Sequence, residues 1–199
     1  MIKNWSILSV MLVTLLLSAC SSNPTVNNEY LLMDEAKSSS EANNSVHADI
    51  QLLPIKMAPY LAGYEIVLVS KQGEVHRSQQ NLWAEPLAAQ LHRLTLQRLS
   101  TQLPNINWFS EAPSRSSAQK QLNIEVNEFF ADLEGLTHIS GRWQLFSSQG
   151  ELLASSDFSE SIKLSEAGYP TLVQAFADSW FNKVVVNIAD QVSVALTQK

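Results

Sequence analysis

Hydrophobic residues change their spacing several times along the chain, and each change predicts an element. Leu122, Ile124 and Val126 alternate with polar residues, a period of two that indicates a half-buried strand. Earlier in the chain, β-branched runs on both sides of a turn with Gly73 predict a hairpin over residues 64–77. The middle of the chain is therefore expected to form a sheet.

Shorter patterns before and after these segments in the sequence predict further strands. The apolar run 50–54 ends in a proline and predicts a short strand, followed by a loop at 59–61. Residues 137–146 and 152–164, on either side of a Ser-Gly turn, predict two more strands of an antiparallel meander. The first of these two strands carries three residues on one face: Gly141, Trp143 and Leu145.

Two longer segments have helical spacing. The first predicted helix runs from about Ala84 to Leu103, with Pro86 in its first turn and Pro104 after its end. The second runs from about Pro170 to Leu196. Their apolar stripes are Leu87, Leu91, Leu94, Leu99 and Leu103 in the first helix, and Val173, Phe176, Ala177, Trp180, Val184, Ile188, Val192 and Ala195 in the second. The order of elements predicts a mixed α/β (α+β) single domain over residues 47–199, with two long helices packed on a largely antiparallel sheet.

The N-terminus has the order of a signal peptide. Lys3 is the only charge before the apolar run Ile7 to Leu17, and small residues precede Cys20. A membrane-spanning helix is the weaker alternative, because a span needs about 20 apolar residues. The sequence resembles a bacterial lipoprotein signal, which implies removal of residues 1–19 and lipidation of Cys20. A serine at position 21, where aspartate retains proteobacterial lipoproteins in the inner membrane, favours the outer membrane.

Residues 20–46 are polar and low in complexity, apart from the apolar island Tyr30 to Met33. They are predicted to be a tether. A flexible chain of this length spans about 30 Å, so the domain is expected to lie close to its anchor.

Composition excludes several classes of function. Without residues 1–19 the chain has 12 Lys and Arg against 19 Asp and Glu, a formal charge of −7, and no basic cluster for nucleic acid. Cys20 is the only cysteine, which excludes an intramolecular disulfide and a cysteine-based metal site. Stability is therefore expected to come from packing.

No catalytic, cofactor-binding or metal-binding set stands out. The sequence has no G-x-S-x-G, phosphate-binding or dinucleotide-binding motif. His47 and Asp49 could share a strand face, but the other histidines lack ligand spacing. Trp83 and Tyr60 are the candidate contacts for a partner or lipid, with a staple at the helix start as the alternative for Trp83. Trp143 is predicted to be core.

A family resemblance is spread over nearly all of the mature chain. The residues that carry it are Tyr30-Leu31-Leu32, Leu53-Pro54-Ile55, Pro59-Tyr60-Leu61, Ile66-Val67, Trp83 to Leu87, Val126 to Phe129, Gly141 to Leu145 and Gly168-Tyr169. Their order and spacing resemble the PqiC (YmbA) family of ABC-type transport auxiliary lipoproteins.

This resemblance implies a non-enzymatic outer-membrane lipoprotein that docks an MCE-domain membrane protein (PqiB-like) and supports lipid transport and envelope integrity. It also implies a homo-oligomeric ring as one assembly. Two other functions remain open at this stage. One is a regulator of another envelope machine, such as a cell-wall synthase activator. The other is a stand-alone lipid carrier, which needs an apolar cavity of a few hundred cubic ångströms.

Overall fold

A computed structural model describes residues 26–35, 47–111 and 119–197. The strands are β1 (Asn28–Tyr30), β2 (Ala48–Leu52), β3 (Lys56–Met57), β4 (Glu65–Val69), β5 (Val75–Trp83), β6 (Ile106–Phe109), β7 (Lys120–Asp132), β8 (Thr137–Phe146) and β9 (Leu152–Glu160). The helices are α1 (Leu87–Gln102), α2 (Tyr169–Ser179) and α3 (Val186–Thr197), and a π-helical segment (Trp180–Val185) joins the last two into one long helix. A single 3-10 turn, Pro59–Leu61, precedes β4.

The long strand β7 organises the sheet. Along one of its edges β8 pairs antiparallel, from Gln121 to Ala131, and β9 continues the meander beyond β8. Along the other edge β2, β3 and β4 pair with it in succession, all parallel. Strands β6 and β1 extend the sheet at β2 and β5. One strand therefore holds together parts of the chain that are far apart in sequence.

A β-bulge in β7 keeps its apolar side chains on one face. Leu122, Ile124 and Val126 are buried, and beyond the bulge between Val126 and Glu128 the buried residues are Phe129 and Ala131. Without one extra residue the alternation would turn Phe129 outward. The shift in the alternation of apolar residues after Val126 therefore coincides with the β-bulge in the backbone.

The helices cover the core as their stripes predicted. The predicted stripe residues are all buried, except Ala195, which is partly buried. Trp180 donates a hydrogen bond from its indole nitrogen to the Thr95 hydroxyl at 2.8 Å, which joins the last helix to α1. Pro86, predicted in the first turn, lies instead at the N-cap position, and the helix begins at Leu87. Its carbonyl oxygen accepts from the backbone N–H groups of Ala89 and Gln90.

The predicted fold class is confirmed: one mixed α and β domain with a nine-stranded sheet and two long helices. The longest ladders are antiparallel, as predicted, but five pairings among the described strands are parallel. Three of them join β2, β3 and β4 to the same edge of β7, and the other two join β6 to β2 and β1 to β5.

The predicted boundary between tether and domain is wrong. Strand β1 lies within residues 20–46, and it pairs in parallel with the end of β5. Leu32, two residues further on, is buried in the core at 2 % exposure. The island Tyr30 to Met33 belongs to the domain because Leu32 is buried in the core and Tyr30 packs against it. The removal of residues 1–19 and the lipidation of Cys20 concern residues outside the described ranges and stay predictions.

Candidate functional site at the N-terminal segment

Residues 28–34, the N-terminal segment, are fixed to the domain by polar contacts from α1. The Leu32 backbone N–H donates to the Gln90 side-chain oxygen at 2.9 Å, and Gln90 donates in turn to the Glu85 carbonyl oxygen at 2.8 Å. Arg98 forms a buried ion pair with Asp34, with 2.9 Å between Nη1 and Oδ1. These contacts hold the segment in one extended path.

Arg98 also reaches the last helix. Its Nη2 donates to the Asn182 side-chain oxygen at 2.8 Å, and Asn182 lies in the π-helical segment. One guanidinium therefore joins the N-terminal segment, α1 and the last helix. Arg98 was not among the predicted site residues, although its position is a signal. It lies four residues after Leu94 on the apolar stripe, where a buried charge needs a partner.

A groove lies between the N-terminal segment and the start of the last helix. It has a volume of about 260 Å³ and a mostly apolar lining. The apolar lining residues are Tyr30, Leu31, Met33, Pro170, Val173 and Ala177. Acidic residues Glu35 and Asp178 also line it. The segment thus forms one wall of an open concave surface, hereafter called the groove.

A larger concavity, hereafter called the cavity, lies on the other side of Tyr169. Its volume is about 450 Å³, and its apolar lining includes Leu68, Leu133, Leu164, Tyr169 and Leu172. The Tyr169 ring stacks with the Tyr30 ring at a centroid distance of 6.4 Å. Tyr30 lines the groove and Tyr169 lines the cavity, so this aromatic pair lies between the two.

The turn between β7 and β8 forms part of the cavity wall. The Asp132 carboxylate accepts hydrogen bonds from the backbone N–H groups of Leu136 and Glu134, at 2.8 and 2.9 Å. Burial by itself would raise the pKa of Asp132, but these two N–H donors and nearby His138 hold it below its usual value. The ionised carboxylate is therefore a structural element of the turn.

Tyr60, one of the two candidate contact residues, lies half-buried at the β7 bulge. Its hydroxyl donates to the Asn127 carbonyl oxygen at 2.9 Å. Burial, with a smaller effect from Glu128, raises the pKa of Tyr60 to about 12. The neutral phenol thus supports the extra residue of the bulge, and its role as a partner or lipid contact stays a prediction.

Trp83, the other candidate, is the last residue of β5 and is only 3 % exposed. Its ring packs on Phe129 and Phe176, at centroid distances of 6.4 and 6.2 Å. Its contact role also stays a prediction, and it would need the surrounding core to open. Trp143, predicted to be core, is 1 % exposed.

The described residues contain no cluster of three or more His, Cys, Asp or Glu that could hold a metal ion. Asp49, considered with His47, accepts a hydrogen bond from Asn107 at 2.8 Å instead. Within the same described residues, no helix combines the length and apolarity that a bilayer crossing requires.

The described residues thus carry two apolar concavities, of which the groove is lined by the N-terminal segment. The chain belongs to the family described as the ABC-type transport auxiliary lipoprotein component, whose model matches residues 30–189. The matched range begins at Tyr30, so it includes the segment that the sequence analysis had placed in the tether.

Curated relatives agree with the family. The chain is 29 % identical over 190 residues to the intermembrane transport lipoprotein PqiC of Escherichia coli, covering 96 % of this chain and 97 % of that protein. The PqiC of Shigella flexneri matches with the same identity and coverage.

Solved structures share the fold. The crystal structure of an uncharacterized protein superposes with a TM-score of 0.71 at 27 % identity, covering 84 % of this chain and 99 % of that one. Protein XCC0632 from Xanthomonas campestris superposes with a TM-score of 0.73 at 18 % identity, covering 86 % and 98 %. The second likeness is one of fold alone.

Proposed function

We propose that this protein is the outer-membrane component of an MCE-type intermembrane lipid transport system and supports envelope integrity. In this role it is anchored through Cys20, faces the periplasm and docks a PqiB-like MCE-domain membrane protein, either singly or as a homo-oligomeric ring. It acts by binding and not by catalysis. Membership of the transport auxiliary family and the similarity to PqiC support the proposal.

The observation that carries the proposal is the position of β1. Its first residue, Asn28, follows Cys20 by eight residues, a length that spans at most about 28 Å when fully extended. A domain on so short a connection stays beside its membrane, and a partner that crosses the periplasm must come to it. This favours a docking component over a cell-wall synthase regulator, which would need a longer reach.

The test is to express the full-length protein with a C-terminal tag in its native envelope, to crosslink, and to identify the proteins recovered. We expect an MCE-domain protein, and a much weaker recovery from Cys20→Ala. A cell-wall synthase instead, or no envelope partner, would overturn the proposal.

Location is tested separately by separating inner and outer membranes on a density gradient. The native chain is expected in the outer-membrane fraction and Ser21→Asp in the inner one. The intact mass of the purified protein reports whether Cys20 is acylated. An unmodified Cys20 would refute the anchor independently of any partner.

The cavity favours a second candidate function, lipid carriage by the domain itself. Its volume of about 450 Å³ and its leucine lining meet the size and polarity that an acyl chain needs. Organic extraction of the purified soluble domain is then expected to release lipid. Leu133 is 60 % exposed at the cavity wall, so Leu133→Asp is expected to lower the recovered lipid and leave the fold intact. An extract without lipid from the native domain rules this candidate out.

A further inference from the structure

The outer side of the N-terminal segment is apolar and exposed. Side chains alternate along it: Leu32 and Asp34 turn inward, while Leu31 and Met33 are 42 % and 65 % exposed. Val26, just before β1, is 80 % exposed. Exposed apolar side chains that are grouped together indicate a binding surface more often than scattered ones do.

This surface is held in place. The Leu32 N–H bond to Gln90 and the Asp34 ion pair with Arg98 fix the backbone on both sides of Met33. The Ala84 N–H also donates to the Tyr30 carbonyl oxygen at 2.9 Å. Because the inward side chains are fixed, Leu31 and Met33 cannot turn into the core. They are displayed outward at no further cost in ordering when a partner binds.

The short distance along the chain from Cys20 indicates that the N-terminal segment lies near the membrane. Asn28 follows Cys20 by eight residues, a separation of at most about 28 Å even for a fully extended chain. Leu31 is only three residues further on. With Cys20 acylated, the outer side of the segment remains within reach of the membrane surface that holds the acyl chains.

The charges around this surface indicate which lipid headgroup it would contact. The groove beside Leu31 and Met33 is lined by Glu35 and Asp178, and its described lining includes no Lys or Arg. Two carboxylates favour a headgroup with an ammonium group, and they disfavour a purely anionic surface. A zwitterionic phosphoethanolamine headgroup has this chemistry.

We propose that Leu31 and Met33 insert into the headgroup region of the membrane that anchors Cys20, with Glu35 and Asp178 facing the ammonium groups of zwitterionic lipids. This inference rests on the proposed lipid anchor. It assigns the N-terminal segment as a second, non-covalent membrane contact. That contact gives the domain a fixed orientation, which a lipid anchor at Cys20 alone does not provide.

For the test, a photoreactive diazirine side chain replaces Met33 in a chain that begins at Cys20. In a second protein it replaces Leu31. Leu152 is the matched control, because it is 54 % exposed and lies on β9, away from β1 in the sheet. Each protein is coupled through Cys20 to a maleimide lipid in phosphatidylethanolamine-containing vesicles and then irradiated. Circular dichroism confirms that each is folded.

Intact mass spectrometry then counts phospholipid adducts. We expect several-fold more adduct from positions 31 and 33 than from 152, and less in vesicles of phosphatidylglycerol alone. Equal adduct at all three positions would overturn the proposal. Since the vesicle experiment supplies the anchor chemically, its result does not depend on whether the cell acylates Cys20.

The same diazirine proteins, irradiated in the native envelope, identify the occupant there. Phospholipid adducts at positions 31 and 33 support membrane contact. Crosslinks to a protein at these positions would show that the surface is a protein interface and would overturn the inference. The mass at Cys20, read from the same sample, shows separately whether the anchor itself has failed.

Discussion

Arg98 is a charged residue on the apolar stripe of α1, where the helical spacing predicts a hydrophobic residue. Its side chain is only 9 % exposed, and its partner Asp34 is 11 % exposed. At such burial the ion pair offsets a large desolvation cost, so loss of one partner removes the counter-charge of the other. The sequence predicted the stripe around Arg98 correctly but could not pair it, because Asp34 is distant in sequence.

Replacement of Arg98 is therefore expected to be severe. Arg98→Met keeps the apolar stem but leaves Asp34 buried without its cation, and we expect a loss of about 3–5 kcal/mol in the free energy of unfolding. Urea denaturation measures it. Arg93→Met is the matched control on the same helix, since Arg93 pairs with Glu85 at the surface and its loss is expected to cost at most about 1 kcal/mol. Equal losses in the two variants would contradict the buried pair.

Asp132 makes stability depend on pH in the acid range. Its pKa is lower in the folded domain than in the unfolded chain, so the unfolded chain takes up the proton first as pH falls. Its contribution is complete above the unfolded value of about 3.9 and disappears as pH falls through the lowered folded value. We expect Asp132→Asn to be less stable than the native domain at neutral pH, and the difference to shrink below about pH 3.9.

Denaturation midpoints measured across the acid range check this prediction. Asp190→Asn, a change at an exposed position of α3, serves as the control. A gap between native and Asp132→Asn that stays constant with pH would show that the carboxylate charge does not stabilise the turn.

At the scale of elements, Gly141 is required by the approach of two strands and a ring. A Cβ at this position would lie 2.0 Å from the Glu125 carbonyl oxygen and 2.5 Å from the Phe158 ring. Phe158 packs edge-on against Trp180 at 5.8 Å, so it has little room to withdraw. The glycine therefore lets β8, β9 and the last helix pack closely.

Gly141→Ala is expected to destabilise the domain by about 1–3 kcal/mol or more, because the added methyl group must displace backbone. Thermal denaturation gives the value. Gly63→Ala is the matched control, since the added Cβ would meet chiefly the flexible side chain of Glu65. If both variants have the melting temperature of the native domain, the packing around Gly141 has room for a methyl group.

The elements also show which features a sequence can predict. Helices α1 and α2–α3 and strand β8 followed from periodic spacing, because each buries one face over many residues. The parallel pairings did not, since they depend on which strands become neighbours in the sheet. The π-helical segment also escaped prediction, because Trp180 to Val185 contain neither proline nor glycine. The contact between Asn182 in this segment and Arg98 joins residues distant in sequence.

For the whole molecule, the N-terminal segment decides where the domain begins. A chain that starts at residue 47 lacks β1 and Leu32, and it leaves Arg98 without Asp34. We expect its melting temperature to fall by about 10 °C or more compared with a chain that starts at Val26. Differential scanning calorimetry compares the two, with the mature chain from Cys20 as reference. The chain from Val26 is expected to have the same melting temperature as the reference. If the chain from residue 47 also has that melting temperature, the domain begins at residue 47, as the sequence predicted.

The order of contacts along this segment has a mechanical consequence. Tension applied at an acylated Cys20 enters the domain at Asn28, so the hydrogen bonds between β1 and β5 carry the load first. The Leu32 and Asp34 contacts, which follow in the chain, are loaded only after β1 has detached. Under a sudden pull from the membrane, this short edge strand is thus expected to detach before the Leu32 and Asp34 contacts break, and it can pair again when the tension is released.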